Sequence, residues 1–314
     1  MTALRRWVFP ILVALLAFAI GIALGGGPLQ TDEGGETDAG LARDKQALQD
    51  DVASLRSDRT FDDGLSQALS ARLLDKRLEG RSVTLVVLPG IDERSVAATE
   101  QDVKLAGADV PVVVRLDDGL LNPGKKTYVD SVATNSLKGA SDLASLAGAS
   151  TYERAGALVA RAYAGKGNNA DVDDEAARID SELQGAELVA VDGTPIRRGT
   201  FVVVLAPGEH GQDSFTRAQM VIAGDLVTAL VHGSDAVVVG SSPTSSQSGG
   251  LIDVLTADQD LASTRLSTIN VADSPAGRIA LVYALAAAAS GAPGHYGVDG
   301  DEAVLPPGLA PNDD

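Results

Sequence analysis

Residues 82–88 read SVTLVVL and residues 201–205 read FVVVL, two short runs in which nearly every residue is apolar. Three runs of the same kind lie at residues 110–116, 187–191 and 236–240. A strand with one face in water alternates apolar and polar residues, whereas a strand covered on both faces does not. The five runs therefore predict buried strands of a mostly parallel sheet.

Helix-like segments separate these strands, at residues 92–107, 151–165, 173–184 and 213–232. Strands that alternate with helices indicate an α/β fold, with helices on both faces of one sheet. The sequence thus predicts a doubly wound α/β domain over residues 81–300.

Two of the strands end alike, with VVLPG at residues 86–90 and VVLAPG at residues 203–208. The likeness fits an old duplication, with half-domains at 81–167 and 175–300, and it also fits two independent uses of one strand-to-helix turn. The polar stretch SSPTSSQSGG at residues 241–250 is expected to form a surface loop that leads into a further strand.

The first 25 residues begin with Arg5 and Arg6, which precede an uncharged apolar run from residue 7 to residue 24. A bilayer core needs about 17 to 25 helical residues, and basic flanks favour the cytoplasmic side. Residues 1–25 therefore predict a single-pass membrane protein with a cytoplasmic N-terminus and an extracytoplasmic main domain. A cleaved signal peptide is the alternative, because small residues follow the apolar run. Gly21 and Gly25 form a G-x-x-x-G pair that permits close helix contact in lipid.

A spacer and a stalk are predicted between the anchor and the domain. Residues 26–40 are rich in glycine and acids, which is typical of a flexible spacer. In the stalk helix, residues 41–80, the leucines recur every seven residues with a valine in the neighbouring core position: Leu41, Leu48, Val52 and Leu55. This pattern predicts a short coiled coil that pairs with itself or with a protein partner; an ordinary amphipathic helix packed on the domain is the alternative.

Composition excludes several classes of site. The formal charge of −18 and the pI of about 4.5 argue against a nucleic-acid partner. The chain has no cysteine and only two methionines, Met1 and Met220, so thiolate sites are excluded and soft ligands for copper(I) are scarce. Residues 301–314 are acidic and rich in proline, and we expect a disordered tail there.

Catalytic motifs are not evident. His210, Asp213 and Ser214 offer a base, a carboxylate and a hydroxyl in one loop, but no G-x-S-x-G elbow accompanies them. No glycine-rich phosphate loop follows a strand. We therefore expect no enzyme activity and no cofactor. His210 and His295 are the candidate metal ligands, and they make no complete ligand set.

The last predicted helix starts near residue 274. Asp273 or Ser274 can cap it, Pro275 suits its first turn, and Arg278 and Asp273 are expected to brace its start.

The chain resembles the actinobacterial MctB copper transporter family. The resemblance rests on the order of anchor, stalk and valine-rich domain, and on PAGRIALVYAL at residues 275–285 and GHYG at residues 294–297. The positions that carry the family-like motif are Pro275, Gly277, Arg278, Tyr296 and Gly297.

The resemblance implies a role in copper export and copper homeostasis across the cell envelope, with copper as the transported ion, in a family described as outer-membrane. The alternative is a non-enzymatic envelope scaffold. Such a protein would couple membrane or cytoplasmic partners to cell-wall or cell-separation enzymes.

Overall fold

A computed structural model describes residues 33–167, 170–193, 195–208, 211, 213–298 and 304–309, with side chains from residue 41 onward except that of residue 42. Contacts divide the chain into two compact units, Met1–Asp62 and Asp63–Asp314. The described part of the first unit is helical. The second unit contains the sheet and is the α/β domain.

The described helices and strands follow in chain order. The helices are α1 (Glu33–Leu74), α2 (Glu93–Leu105), α3 (Asp118–Leu121), α4 (Lys126–Leu137), α5 (Thr151–Tyr163), α6 (Asp174–Gly185), α7 (Ser214–Gly233), α8 (Leu251–Ala257) and α9 (Pro275–Ala289). The strands are β1 (Ser82–Val87), β2 (Asp109–Leu116), β3 (Val189–Val191), β4 (Phe201–Leu205), β5 (Ala236–Gly240), β6 (Leu266–Ile269) and β7 (His295–Tyr296). Short 3-10 segments lie at Pro123–Lys125, Ser141–Gly148 and Pro243–Ser246.

The sheet has seven strands in the order β3-β2-β1-β4-β5-β6-β7. All neighbouring pairs are parallel except β2 with β3, which is antiparallel. In the centre, Val83 pairs with Phe201 and Leu85 with Val203. The prediction of a mostly parallel α/β sheet is confirmed.

Both faces of the sheet are covered by helices, which explains why its strands lack polar alternation. On β1, Val86 belongs to one apolar cluster, which includes residues of α4 to α8. Val83 and Leu85 belong to the other, which includes residues of α2 and α9. Leu74, at the end of α1, is also fully buried in the second cluster.

The five predicted helices of the domain are confirmed as α2, α5, α6, α7 and α9, and the five predicted strands as β1 to β5. Two further strands, β6 and β7, were not predicted. The expectation that residues 241–250 lead into a strand is wrong, because they lead into helix α8, which buries Leu251, Ile252 and Leu255 on one side.

The sheet does not divide at the boundary of the proposed half-domains. Strand β3, from the second half, pairs with β2 of the first half, and β4 lies against β1. The two strand ends with Pro-Gly therefore lie side by side in one sheet.

The stalk prediction is confirmed as a helix, with different limits. Helix α1 starts at Glu33, so residues 33–40 of the predicted flexible spacer are helical. It ends at Leu74, and residues 75–80 form turns in which Lys76 and Gly80 have φ values of 59° and 72°. Positive φ interrupts a right-handed helix, so the helix cannot continue to residue 80. Pairing of this helix as a coiled coil stays a prediction.

The tail is partly ordered, which corrects the prediction of disorder over residues 301–314. Pro306 is buried, and its carbonyl accepts a hydrogen bond from the Leu309 N–H at 3.1 Å. Leu309 packs against the second apolar cluster.

Candidate functional site

A crevice of about 230 Å³ lies at the carboxyl ends of β1, β4 and β5. The chain leaves β1 towards one edge of the sheet and β4 towards the other, so the crevice sits at the topological switch point, where α/β proteins place their sites. Gly90 and Gly208, from the two Pro-Gly turns, both line it. The two similar Pro-Gly turns, which are far apart in the sequence, therefore line the same crevice.

Side chains with polar oxygens lie among the apolar residues of this crevice. Asp92 and Asp273 line it, as do Ser241 and Ser242. The Ser241 hydroxyl is buried and has no hydrogen-bond partner among the described residues. Gly208 cannot be replaced easily, because a Cβ there would lie 1.5 Å from the Ser242 Oγ. Carboxylates and hydroxyls suit hard cations or hydroxyl-bearing ligands rather than copper(I).

The loop that carries His210, Asp213 and Ser214 is only partly described. His210 lies outside the described residues. Asp213 caps helix α7: its carboxylate accepts hydrogen bonds from the Phe215 and Thr216 N–H groups at 2.9 and 3.0 Å. Hydrogen bonds from Thr216 lower the pKa of Asp213 below its ordinary value. Asp213 therefore has a structural role at the start of the helix.

The motif around residue 275 builds the start of helix α9. Ser274 caps the helix by accepting the Gly277 N–H at 3.0 Å, and Pro275 occupies the first turn, as predicted. A Cβ on Gly277 would lie 1.7 Å from the Val271 carbonyl oxygen, so only glycine fits. The motif is thus explained by packing.

Arg278 connects two helices. Its Nε donates to the Asp102 Oδ2 of α2 at 2.8 Å, and the two side chains are 12% and 11% exposed. The expected partner was Asp273, at the start of the same helix. Asp102 was missed because its 176-residue separation from Arg278 leaves no local signal.

The second part of the motif forms strand β7 at the sheet edge. Tyr296 is buried in the second apolar cluster. Gly297 has φ of 139°, and a Cβ there would lie 1.7 Å from the Asn270 Oδ1. His295 is half-buried, with its Nδ1 2.9 Å from the Thr268 hydroxyl. This hydrogen bond ties β7 to β6.

The stalk presents an apolar stripe, defined as Leu41, Leu48, Val52 and Leu55. The three leucines are 62%, 67% and 68% exposed, and the valine is 39% exposed. Side chains at this seven-residue spacing lie on one side of a helix. The stripe is a candidate interaction surface.

A family model described as "Copper transport outer membrane protein, MctB" matches residues 1–307. The chain belongs to the MctB family. Among curated relatives, the copper transporters MctB of Mycobacterium bovis and Mycobacterium tuberculosis are each 25% identical to it over 307 residues. The aligned region covers 95% of this chain and 96% of each relative.

Two features predicted from the sequence lie outside the described residues: the anchor with Gly21 and Gly25, and the side chain of His210. Of the helices that the structure describes, none is long and apolar enough to cross a bilayer. Within the same residues, no three or more His, Cys, Asp or Glu side chains form a group that could hold a metal ion.

Proposed function

We propose that this MctB-family protein is a single-pass, membrane-anchored extracytoplasmic protein that supports copper export by holding a partner chain on its stalk. The exposed apolar stripe of helix α1 is the observation that carries the proposal. The family description supplies the copper context. The protein acts without enzymatic activity of its own.

The stripe favours association because its leucines are about two-thirds exposed. Full burial of a leucine contributes about 1.5–3 kcal/mol, so covering each of these contributes about 1–2 kcal/mol. Leu41 to Leu55 spans about 21 Å along the helix, at about 1.5 Å per residue. A second helix of about two heptads covers this length.

The ligands that copper(I) prefers are scarce in this chain, which favours a partner protein as the carrier of the ion. Copper(I) prefers thiolate and thioether ligands. The chain has no cysteine, and of its two methionines Met220 is 7% exposed, within the apolar core on α7. A partner that carries such ligands would handle the ion, while this protein holds it at the membrane.

Site-specific photocrosslinking in cell membranes tests the stalk surface. A photoreactive residue at Leu48 is expected to crosslink to a second polypeptide. The matched control is the same residue at Asp50, which lies on the opposite side of the helix and is also exposed. Equal crosslinking at both positions, or none at either, would contradict the proposal.

The double variant Leu48→Lys/Leu55→Lys tests the link to copper. It is expected to abolish the crosslink and to make cells more sensitive to copper. Normal copper tolerance with a defect in cell separation would favour the envelope scaffold, which the same stripe also suits. Purified full-length protein that is exposed to copper and then dialysed should retain no copper. Retention of copper in a stoichiometric amount would contradict the proposal that a partner protein carries the ion.

A further inference from the structure

A second cavity, of about 700 Å³, lies between helices α5 and α7 and the 3-10 segment Ser141–Gly148. Its volume is within the range of about 300–1,000 Å³ that is usual for small-ligand sites. Ala157, Ala160 and Ala229 form part of its lining. These small side chains leave an apolar floor between the two helices.

The two helices run in the same direction past this floor. A Cβ on Gly156 would lie 3.0 Å from the Ala229 Cβ, and one on Gly233 would lie 2.9 Å from the Ala160 Cβ. Moving from residue 156 to 160 on α5 therefore corresponds to moving from residue 229 to 233 on α7. The early residues of α5 and the middle residues of α7 share one end of the cavity.

That end carries the side chains of Glu153, Asp225 and Asp258, which we call the acidic end. None of the three has an ion-pair partner in the described part of the chain, although the Glu153 carboxylate accepts the Ser150 N–H at 2.6 Å and the Asp258 carboxylate accepts the Asp260 N–H at 2.9 Å. Burial raises the pKa of Asp225 above its ordinary value, and the charges of Glu153 and Asp258 raise it further. A bound cation would relieve this repulsion.

The opposite end carries Arg161, Lys166, Arg198 and His232, which we call the basic end. Arg161 donates to Asp142 at 2.6 Å and to a second aspartate at 2.8 Å, so its charge is balanced locally. Its Nη1 is buried and has no acceptor among the described residues. Lys166 has no ion-pair partner in the part of the chain that the structure describes.

The distance between the two ends follows from helix geometry. Glu153 and Arg161 are eight residues apart on α5, which corresponds to about 12 Å at about 1.5 Å per residue. An extended peptide advances about 3.3–3.6 Å per residue, so three or four residues span this distance. A free peptide carries an ammonium group at one end and a carboxylate at the other.

We propose that this cavity binds a peptide of three or four residues with free termini. Its ammonium group lies at the acidic end, and its carboxylate lies at the basic end. There the carboxylate pairs with Lys166 and provides an acceptor close to Arg161. Small side chains fit over the alanine floor. This site belongs to the α/β domain and does not depend on the stalk.

Isothermal titration of the purified full-length protein with trialanine tests the proposal. Trialanine is expected to bind, and both N-acetyl-trialanine and trialanine amide are expected to bind at least about tenfold more weakly, a difference of about 1.4 kcal/mol. Equal affinity for the three peptides would overturn the proposal. So would the absence of trialanine binding up to about 10 mM.

Three variants locate the binding. Ala157→Phe fills the floor and is expected to abolish binding while the circular dichroism spectrum stays unchanged. Lys166→Ala should remove the preference for trialanine over its amide, whereas the control Lys104→Ala, on α2, should not. Asp225→Asn should reduce the preference for the free ammonium group. Wild-type binding by Ala157→Phe, or an equal loss in Lys104→Ala, would contradict the assignment.

Discussion

Replacing Arg278 by methionine is expected to destabilise the α/β domain by about 3–5 kcal/mol. The Arg278 Nε lies 2.8 Å from the Asp102 Oδ2, and both side chains are nearly buried, at 12% and 11% exposure. Removing the guanidinium leaves the Asp102 carboxylate in a low-dielectric environment without a counter-ion. The cost comes mainly from that uncompensated charge.

Urea unfolding of the full-length protein, followed by far-ultraviolet circular dichroism, measures this effect. With a urea dependence of about 3 kcal/mol per molar, the midpoint should fall by about 1–1.7 M. The double variant Asp102→Leu/Arg278→Met removes both charges, and its midpoint should return to within about 0.5 M of the wild type, because apolar replacements of a buried pair are often close to neutral.

A surface pair provides the matched control. Arg115 and Asp192 are also 2.8 Å apart, but their side chains are 29% and 76% exposed. Asp192→Asn should therefore cost less than about 1 kcal/mol. The reasoning is refuted if Arg278→Met shifts the midpoint no more than this control does. A double variant as unstable as the single variant would refute it equally.

Three further changes are expected to alter stability. Thr84→Val should cost about 1–3 kcal/mol in urea unfolding, because the fully buried hydroxyl accepts the Gly199 N–H at 2.9 Å and valine leaves that donor unpaired. Ser150→Ala should cost about 1 kcal/mol through loss of the capping box with Glu153, whereas Ser150→Gly should cost only a few tenths; equal losses would contradict a capping role. Asp225→Asn should raise Tm at pH 7 by about 1–3 °C, because a carboxyl whose pKa is raised in the folded state loses stability as pH rises through that pKa. This gain should vanish below about pH 3, under the ordinary aspartate pKa of about 3.9, where the carboxyl is protonated in both states, and a gain that persists there would have another cause.

The central strands were predictable because burial on both faces demands apolar residues at every position. FVVVL at residues 201–205 meets that demand, and all five residues are buried. Strand β6 reads LSTI and is equally buried, yet it contains Ser267 and Thr268. The Thr268 hydroxyl pairs with His295 on β7. A buried polar residue is tolerated only with such a partner, and local sequence does not show the partner.

Helix α4 was missed for a related reason. It buries Val129, Ala133 and Ser136, and Val132 and Leu137 pack beside them partly buried. A buried serine and a small alanine interrupt the apolar side, which weakens the helical period. Its stability comes from packing against the first apolar cluster, where Val129 and Ala133 are buried. The local sequence does not show this tertiary contact.

The switch-point crevice was partly visible in the sequence. Two Pro-Gly turns after buried strands marked the edge of the sheet where Gly90 and Gly208 lie. The pattern could not show that β1 and β4 are neighbours, which is what brings the two turns together. Strand order is decided by tertiary packing, so two like turns become one site only in the folded domain.

The peptide cavity depends on tertiary packing altogether. Glu153 belongs to the capping box of α5, Asp225 lies on α7 and Asp258 follows α8, and they line one cavity where Gly156 lets α5 and α7 approach closely. Three neighbouring carboxylates repel one another, while Lys166, at the far end of the same cavity, has no counter-ion in the described chain. A ligand with opposite charges at its two ends would pair with Asp225 at one end of the cavity and with Lys166 at the other, so the separation of charge is the strongest reason to expect one.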